Sequence, residues 1–146
     1  MSTLSLLERD RSNQLARRFA VVATAYFDEP GQARTPAARV PLENLFRMLQ
    51  MLRYDAFSDE RRSGILELES FDEKLGTAAA EDIWHERIER ALKTALGDVF
   101  GDTPKEQAVG ELQSSLTWLA TDGPAPDGAV RQRAKTFLER FVAALS

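Results

Sequence analysis

The sequence contains no cysteine and only one histidine, His85, among its 146 residues. Without cysteine the chain can form neither a disulfide nor a thiolate zinc site, and a single histidine cannot complete a zinc site built on several imidazoles. Long apolar runs are missing too, since the longest, residues 19–27, has nine residues, whereas a membrane span needs about 20. We therefore expect no metal, no cofactor and no membrane partner.

A signal-peptide pattern is also absent, because Glu8 and Asp10 stand where such a peptide would be apolar. We therefore expect a soluble, cytoplasmic protein. The hydrophobic fraction of 43% and the charged fraction of 29% are typical of a globular protein. At this length we expect a single domain over residues 1–146.

Lysine is missing from the first third of the chain, although arginine is common there. Residues 1–53 contain eight arginines, no lysine and five acidic residues, so they carry a charge of +3 while the whole chain carries −4. Such an imbalance hints at an acidic or polyanionic partner. A chance distribution of charges over a solvated surface is the explanation that we favour.

In every stretch with a regular pattern, the apolar residues recur at the period of an α-helix. The pattern predicts one helix over about 5–27, a second that begins at Pro41 and a third over about 78–99. A fourth helix is predicted to begin with Thr103 as its cap and Pro104 as its first residue, and a last helix covers about 129–145. Residues 65–75 fit a short helix better than a strand. The sequence thus predicts an all-α bundle of about five to six helices.

Proline and glycine mark two predicted breaks. Residues 28–40 contain two prolines, a glycine and several alanines, which predicts a long and mobile loop. Residues 121–128 are rich in turn-forming residues and predict a linker.

The surroundings of His85 raise the question of catalysis. Glu81 and Glu89 stand four residues before and after it, so a helix would place all three side chains on one face. A carboxylate beside an imidazole can orient a general base. However, Trp84 and Ile88 would point to the core, which leaves His85 at a solvated edge of the helix. We predict a non-catalytic protein, with an enzyme centred on His85 as the alternative.

The second helix carries more apolar residues than a peripheral helix needs. Its apolar surface covers more than half of its circumference, so either the helix is central in the bundle or part of it meets a partner. The partner-binding candidates are Phe46, Met48, Met51 and Leu52.

A cluster of arginines supplies the second candidate surface. Arg11 and Arg18 are seven residues apart and share a helix face, with Arg17 to the side. With Arg34 and Arg39 they would form a strip able to follow a phosphate backbone, where arginine allows bidentate contact. The acidic net charge argues against autonomous nucleic-acid binding.

The sequence therefore predicts a non-catalytic helical interaction subunit that self-associates or docks into a larger protein complex. The alternative is a small helical subunit that contacts a nucleic-acid backbone inside a nucleoprotein complex through the arginine strip. Small helical subunits of CRISPR effector complexes have this size and fold class. This is an analogy of architecture alone, because no motif in this sequence supports it.

Overall fold

The fold comes from a computed structural model that describes residues 13–14, 16–54 and 78–145, with the side chains of residue 40 and residues 78–85 left out. The first helix, α1, comprises helical residues 16–21 and continues into a π-helical turn at Val22–Tyr26. A 3₁₀ helix follows at Pro30–Arg34. The remaining helices are α2 at Pro36–Arg53, α3 at Ala78–Phe100, α4 at Lys105–Thr121 and α5 at Gly128–Leu145. The predicted all-α class with about five helices is confirmed.

The apolar residues of α1 recur at the helical period and face the core. Phe19, Val22 and Tyr26 are buried, as residues three to four apart on one helix face should be. The Phe19 ring stacks on Phe141 of α5 with centroids 5.6 Å apart, and Phe141 in turn lies 6.3 Å from Phe137. This aromatic row joins the first described helix to the last.

The predicted loop over residues 28–40 is wrong for most of its length, since it contains the 3₁₀ helix and the first turn of α2. Pro36 lies at the start of α2, where a missing N–H costs nothing, and Thr35 before it is extended (φ −99°, ψ 156°). Ala33 and Ala38 are buried. These small residues pack the segment against the core, whereas their composition alone suggested a loop.

Pro41 lies inside α2 and does not begin the helix as predicted. It cannot donate a hydrogen bond to the carbonyl one turn earlier, which costs about 3 kcal/mol in a helix interior. The apolar face that follows compensates, because Leu42, Leu45, Met48 and Leu49 are all buried.

α3 matches its predicted bounds closely, and it packs most extensively on α5. Ile88, Leu92 and Ala95 form its buried stripe. Arg87 donates a hydrogen bond from Nη2 to the carbonyl of Leu145 at 3.4 Å. The side chains of Trp84 and His85 and the segment 65–75 lie outside the described residues, so those predictions remain untested.

α4 begins one residue later than predicted. Pro104 occupies the N-cap position, and no side chain caps the helix, so the predicted capping role of Thr103 is wrong. Residues 122–127, which fall in the predicted linker, form neither helix nor strand, and α5 begins at Gly128.

α4 and α5 are joined by a charged pair. Arg133 donates from Nε and Nη2 to both carboxylate oxygens of Glu111, at 3.0 and 2.7 Å. The hydrogen bond to Glu111 raises the pKa of Arg133 above its usual value, so this guanidinium stays charged at any physiological pH.

All five helices contribute to one buried apolar cluster. Across residues 13–14, 16–54 and 78–145, none of the helices combines the length and apolarity that crossing a membrane requires.

Candidate interaction groove

A groove runs between α2 and α4 on the surface of the described fold. Its larger part has a volume of about 700 Å³ and is lined by α2, by α4 and, at one end, by the 3₁₀ helix. A second part of about 590 Å³ continues on the other side of Phe46 and Thr117, which line both. We call the two parts together the α2–α4 groove.

The groove exists because its α4 wall is built from small residues. Gly110, Ser114, Thr117 and Thr121 line it at spacings of four, three and four residues, which places them on one helix face. The floor of the larger part is apolar and includes Leu42, Leu116 and Ala120.

Phe46 is a large apolar side chain that is partly exposed to solvent in this groove. It is 38% exposed, whereas its neighbours Leu45 and Leu49 are 1% exposed. One step along a helix rotates the side chain by about 100°, so Phe46 leaves the core while Leu45 enters it. Only Val21 and Tyr54 are comparable exposed large hydrophobics in the described part of the chain.

The structure corrects the remainder of the predicted partner surface. Met48, Met51 and Leu52 are 0%, 3% and 1% exposed, so they pack inside the bundle and cannot touch a partner in this arrangement. Central burial, the other arrangement that the sequence allowed, describes these three side chains. Of the four predicted partner-binding residues, Phe46 alone is exposed.

A polar contact holds α2 and α4 together beside the groove. Gln113 donates a hydrogen bond from Nε2 to Oε1 of Gln50 at 2.7 Å. Gln113 is buried and Gln50 lines the groove. This pair fixes the separation of the two walls.

Arg34 closes one end of the groove. Its Nη2 donates to the carbonyl of Trp118 at 3.0 Å, and its Nη1 lies 3.3 Å from Oδ1 of Asp122. The N–H of Asp122, which ends α4 in a left-handed conformation (φ 55°), donates to the same carbonyl at 3.2 Å. A cation therefore stabilises the carbonyl end of α4, where the helix dipole is negative.

The Trp118 ring is held on two sides. It tilts against Phe27 with centroids 6.4 Å apart, and the Arg131 guanidinium lies 5.4 Å from its centroid. The residue is buried, with 8% of its surface exposed. Trp118 therefore acts as a rigid support at the end of α4.

The five arginines of the predicted phosphate-binding strip lie in different surroundings. Arg11 is outside the described residues, Arg17 is exposed, and Arg18 is half-buried and has interacting groups. Arg34 is occupied at the end of α4, and Arg39 pairs with Glu43 at 3.0 Å. Binding of nucleic acid by this set stays a prediction.

Two arginines that were not among the predicted site residues also line the groove. Arg47 lies beside Phe46, and Arg53 lies at the C-terminal end of α2 with its guanidinium 5.4 Å from the Tyr54 centroid. The seven-residue spacing of Arg39, Phe46 and Arg53 could have revealed that all three share a face. The pairing of that face with α4 could not be read from the sequence.

The groove is lined by several kinds of polar group. Its polar groups are guanidiniums, amides and hydroxyls, with Glu43 as the carboxylate among its lining residues. Within the described ranges, no group of three or more histidine, aspartate or glutamate residues could hold a metal ion. No protein-family model, curated protein or solved structure matches the chain.

Proposed function

We propose that this chain is a non-catalytic interaction subunit that binds a helical segment of another protein in the α2–α4 groove. The observation that carries the proposal is the exposure of Phe46 in the centre of a groove with an apolar floor. Aromatic anchors that enter or border such pockets contribute much of the binding energy in protein interfaces.

The dimensions of the groove support a helix as the bound segment. Residues from Pro36 to Arg53 line it, so it follows the whole of α2, an 18-residue helix. Such a helix is about 27 Å long. A partner helix lying in a groove contacts it through residues three to four apart, which matches the spacing on both walls.

The nucleic-acid alternative has less support. Of the predicted strip, Arg34 already binds the carbonyl of Trp118 and faces Asp122, so phosphate contact would require its release. A phosphate backbone would also leave Phe46 and the apolar floor unused.

A capture experiment with paired variants tests the proposal. The tagged chain is used as bait in lysate of its own cells, with half of each sample treated with nuclease, beside the variants Phe46→Glu and Val21→Glu. Val21 is the matched control because it is 45% exposed on α1 and lies outside the groove lining.

We expect the same protein partner in both halves with wild-type and Val21→Glu baits, and its loss with Phe46→Glu. Circular dichroism of each bait checks that the helices are intact. Equal capture by all three baits, or capture that nuclease abolishes, would contradict the proposal.

A further inference from the structure

We infer that the segment bound in the α2–α4 groove is an acidic amphipathic helix, with an apolar anchor flanked about two turns away on each side by aspartate or glutamate. This inference rests on the proposed function and specifies the chemistry of its partner.

The spacing of charged residues along α2 carries the inference. Arg39, Phe46 and Arg53 lie seven residues apart, so the same face presents a cation, an aromatic ring and a second cation. Seven residues correspond to about 10 Å along a helix. A partner helix parallel or antiparallel to α2 repeats its side chains at the same interval and can match all three positions.

These guanidiniums can accept a carboxylate from outside. Arg47 and Arg53 have no ion pair with a carboxylate among residues 13–14, 16–54 and 78–145. Both side chains line the groove. A guanidinium can bind a carboxylate in a two-pronged manner.

The pair between Arg39 and Glu43 does not prevent this binding. Both side chains are largely exposed, at 75% and 65%. Exposed pairs of this kind contribute little, so an incoming carboxylate can replace Glu43 at small cost.

The local charge of the groove contrasts with that of the whole chain. Arg34, Arg39, Arg47 and Arg53 line it, against the single carboxylate of Glu43, although the chain as a whole carries −4. A positive groove on an acidic protein attracts negative segments and disfavours basic ones. The apolar centre at Phe46 favours a protein helix over a phosphate chain.

Charge reversal and charge retention test the inference on the full chain. The baits are wild type, Arg39→Glu/Arg53→Glu, Arg39→Lys/Arg53→Lys and the control Arg90→Glu/Arg140→Glu, whose exposed arginines lie on α3 and α5 outside the groove. The lysine bait is also treated with carbodiimide, which joins a lysine amine to a carboxylate within contact distance. Mass spectrometry then identifies the linked residues of the partner.

We expect the reversed groove to lose capture by about tenfold or more, as truncation or reversal of paired interface charges does. The lysine bait and the control should retain most of it. The lysines should link to aspartate or glutamate of one partner helix, on either side of an apolar residue.

The possible results separate the two proposals. Loss of the partner with Phe46→Glu but unchanged capture by the reversed groove would overturn the acidic-helix inference and leave the proposed function intact. Unchanged capture by both would overturn both. A captured second copy of this chain, or links to carboxylates outside one helix, would also overturn the inference.

Discussion

Arg34 and Trp118, which are 84 positions apart in the sequence, meet where Nη2 of the arginine donates to the tryptophan carbonyl at 3.0 Å. The contact ties the 3₁₀ helix before α2 to the last turn of α4. Because these elements form one end of the α2–α4 groove, the guanidinium holds the groove open at a defined width. Arg34 is therefore a structural residue of the groove, although the sequence suggested a phosphate-binding role.

Replacing Arg34 with alanine should destabilise the chain. The variant Arg34→Ala loses a hydrogen bond from a charged donor and a favourable charge at the C-terminal end of α4, so we expect the free energy of unfolding to fall by about 1–2 kcal/mol. Urea unfolding followed by circular dichroism measures the change. Arg39→Ala is the control, with an expected loss below about 0.5 kcal/mol, because its pair with Glu43 is exposed. Equal effects of the two variants would argue against the capping role.

Truncation to alanine should lower the stability of the fold more at Met48 than at Phe46. Met48→Ala removes a fully buried side chain from the core, and we expect a loss of about 2–5 kcal/mol. Phe46→Ala removes a ring that is 38% exposed, and it should cost about 1–2 kcal/mol while reducing partner capture. Chemical unfolding of both variants tests this order of stability. A larger cost for Phe46→Ala would show that its ring belongs to the core.

Gly110 lies inside α4 on the groove wall, and nothing within 4 Å would obstruct a Cβ atom there. Since glycine in a helix interior is less stable than alanine, Gly110→Ala should stabilise the chain by about 0.5–1 kcal/mol. We expect the same variant to weaken partner capture, because a close-packed helix would meet the added methyl group.

Gly97 supplies the matched control for that experiment. It is also helical, with open space around it, but it lies on α3 outside the groove. Gly97→Ala should leave capture unchanged. Equal capture by Gly110→Ala and wild type would indicate that the partner does not approach the α4 wall.

Nucleic acid should bind weakly and with little dependence on Arg11, Arg17 and Arg18 of the predicted strip. We expect the triple variant Arg11→Ala, Arg17→Ala and Arg18→Ala to change the Kd for labelled RNA or DNA by less than about threefold, since non-specific contact is spread over many charges. Fluorescence anisotropy over a range of salt concentrations measures it. A tight complex that weakens steeply with salt and with the triple variant would instead favour the nucleoprotein alternative.

The helices could be predicted largely from sequence because their apolar residues recur at the helical period. α3 illustrates this, since Ile88, which the sequence directs to the core, is buried. The segment 28–40 could not be predicted, because its prolines and alanines are typical of loops. Only tertiary packing shows that Ala33 and Ala38 are buried and that Pro36 begins α2.

The candidate site was predictable only in part. Phe46 was predicted from the sequence as a partner-binding residue, but Met48 and Met51, two and five residues further on, have the same apolar character and are buried. Helical period alone cannot tell which apolar residue faces a neighbouring helix and which faces solvent when the apolar surface is broad. The groove itself forms between α2 and α4, which are distant in sequence, and so depends on packing.

Hydroxyl-radical footprinting of the chain, alone and bound to its captured partner, addresses the groove most directly. It reports the solvent access of individual side chains in the unaltered protein. We expect the oxidation rate of Phe46 to fall severalfold on binding while that of Val21, exposed on α1, stays the same. Unchanged oxidation of Phe46 in the complex, or protection confined to α1, would contradict binding in the α2–α4 groove.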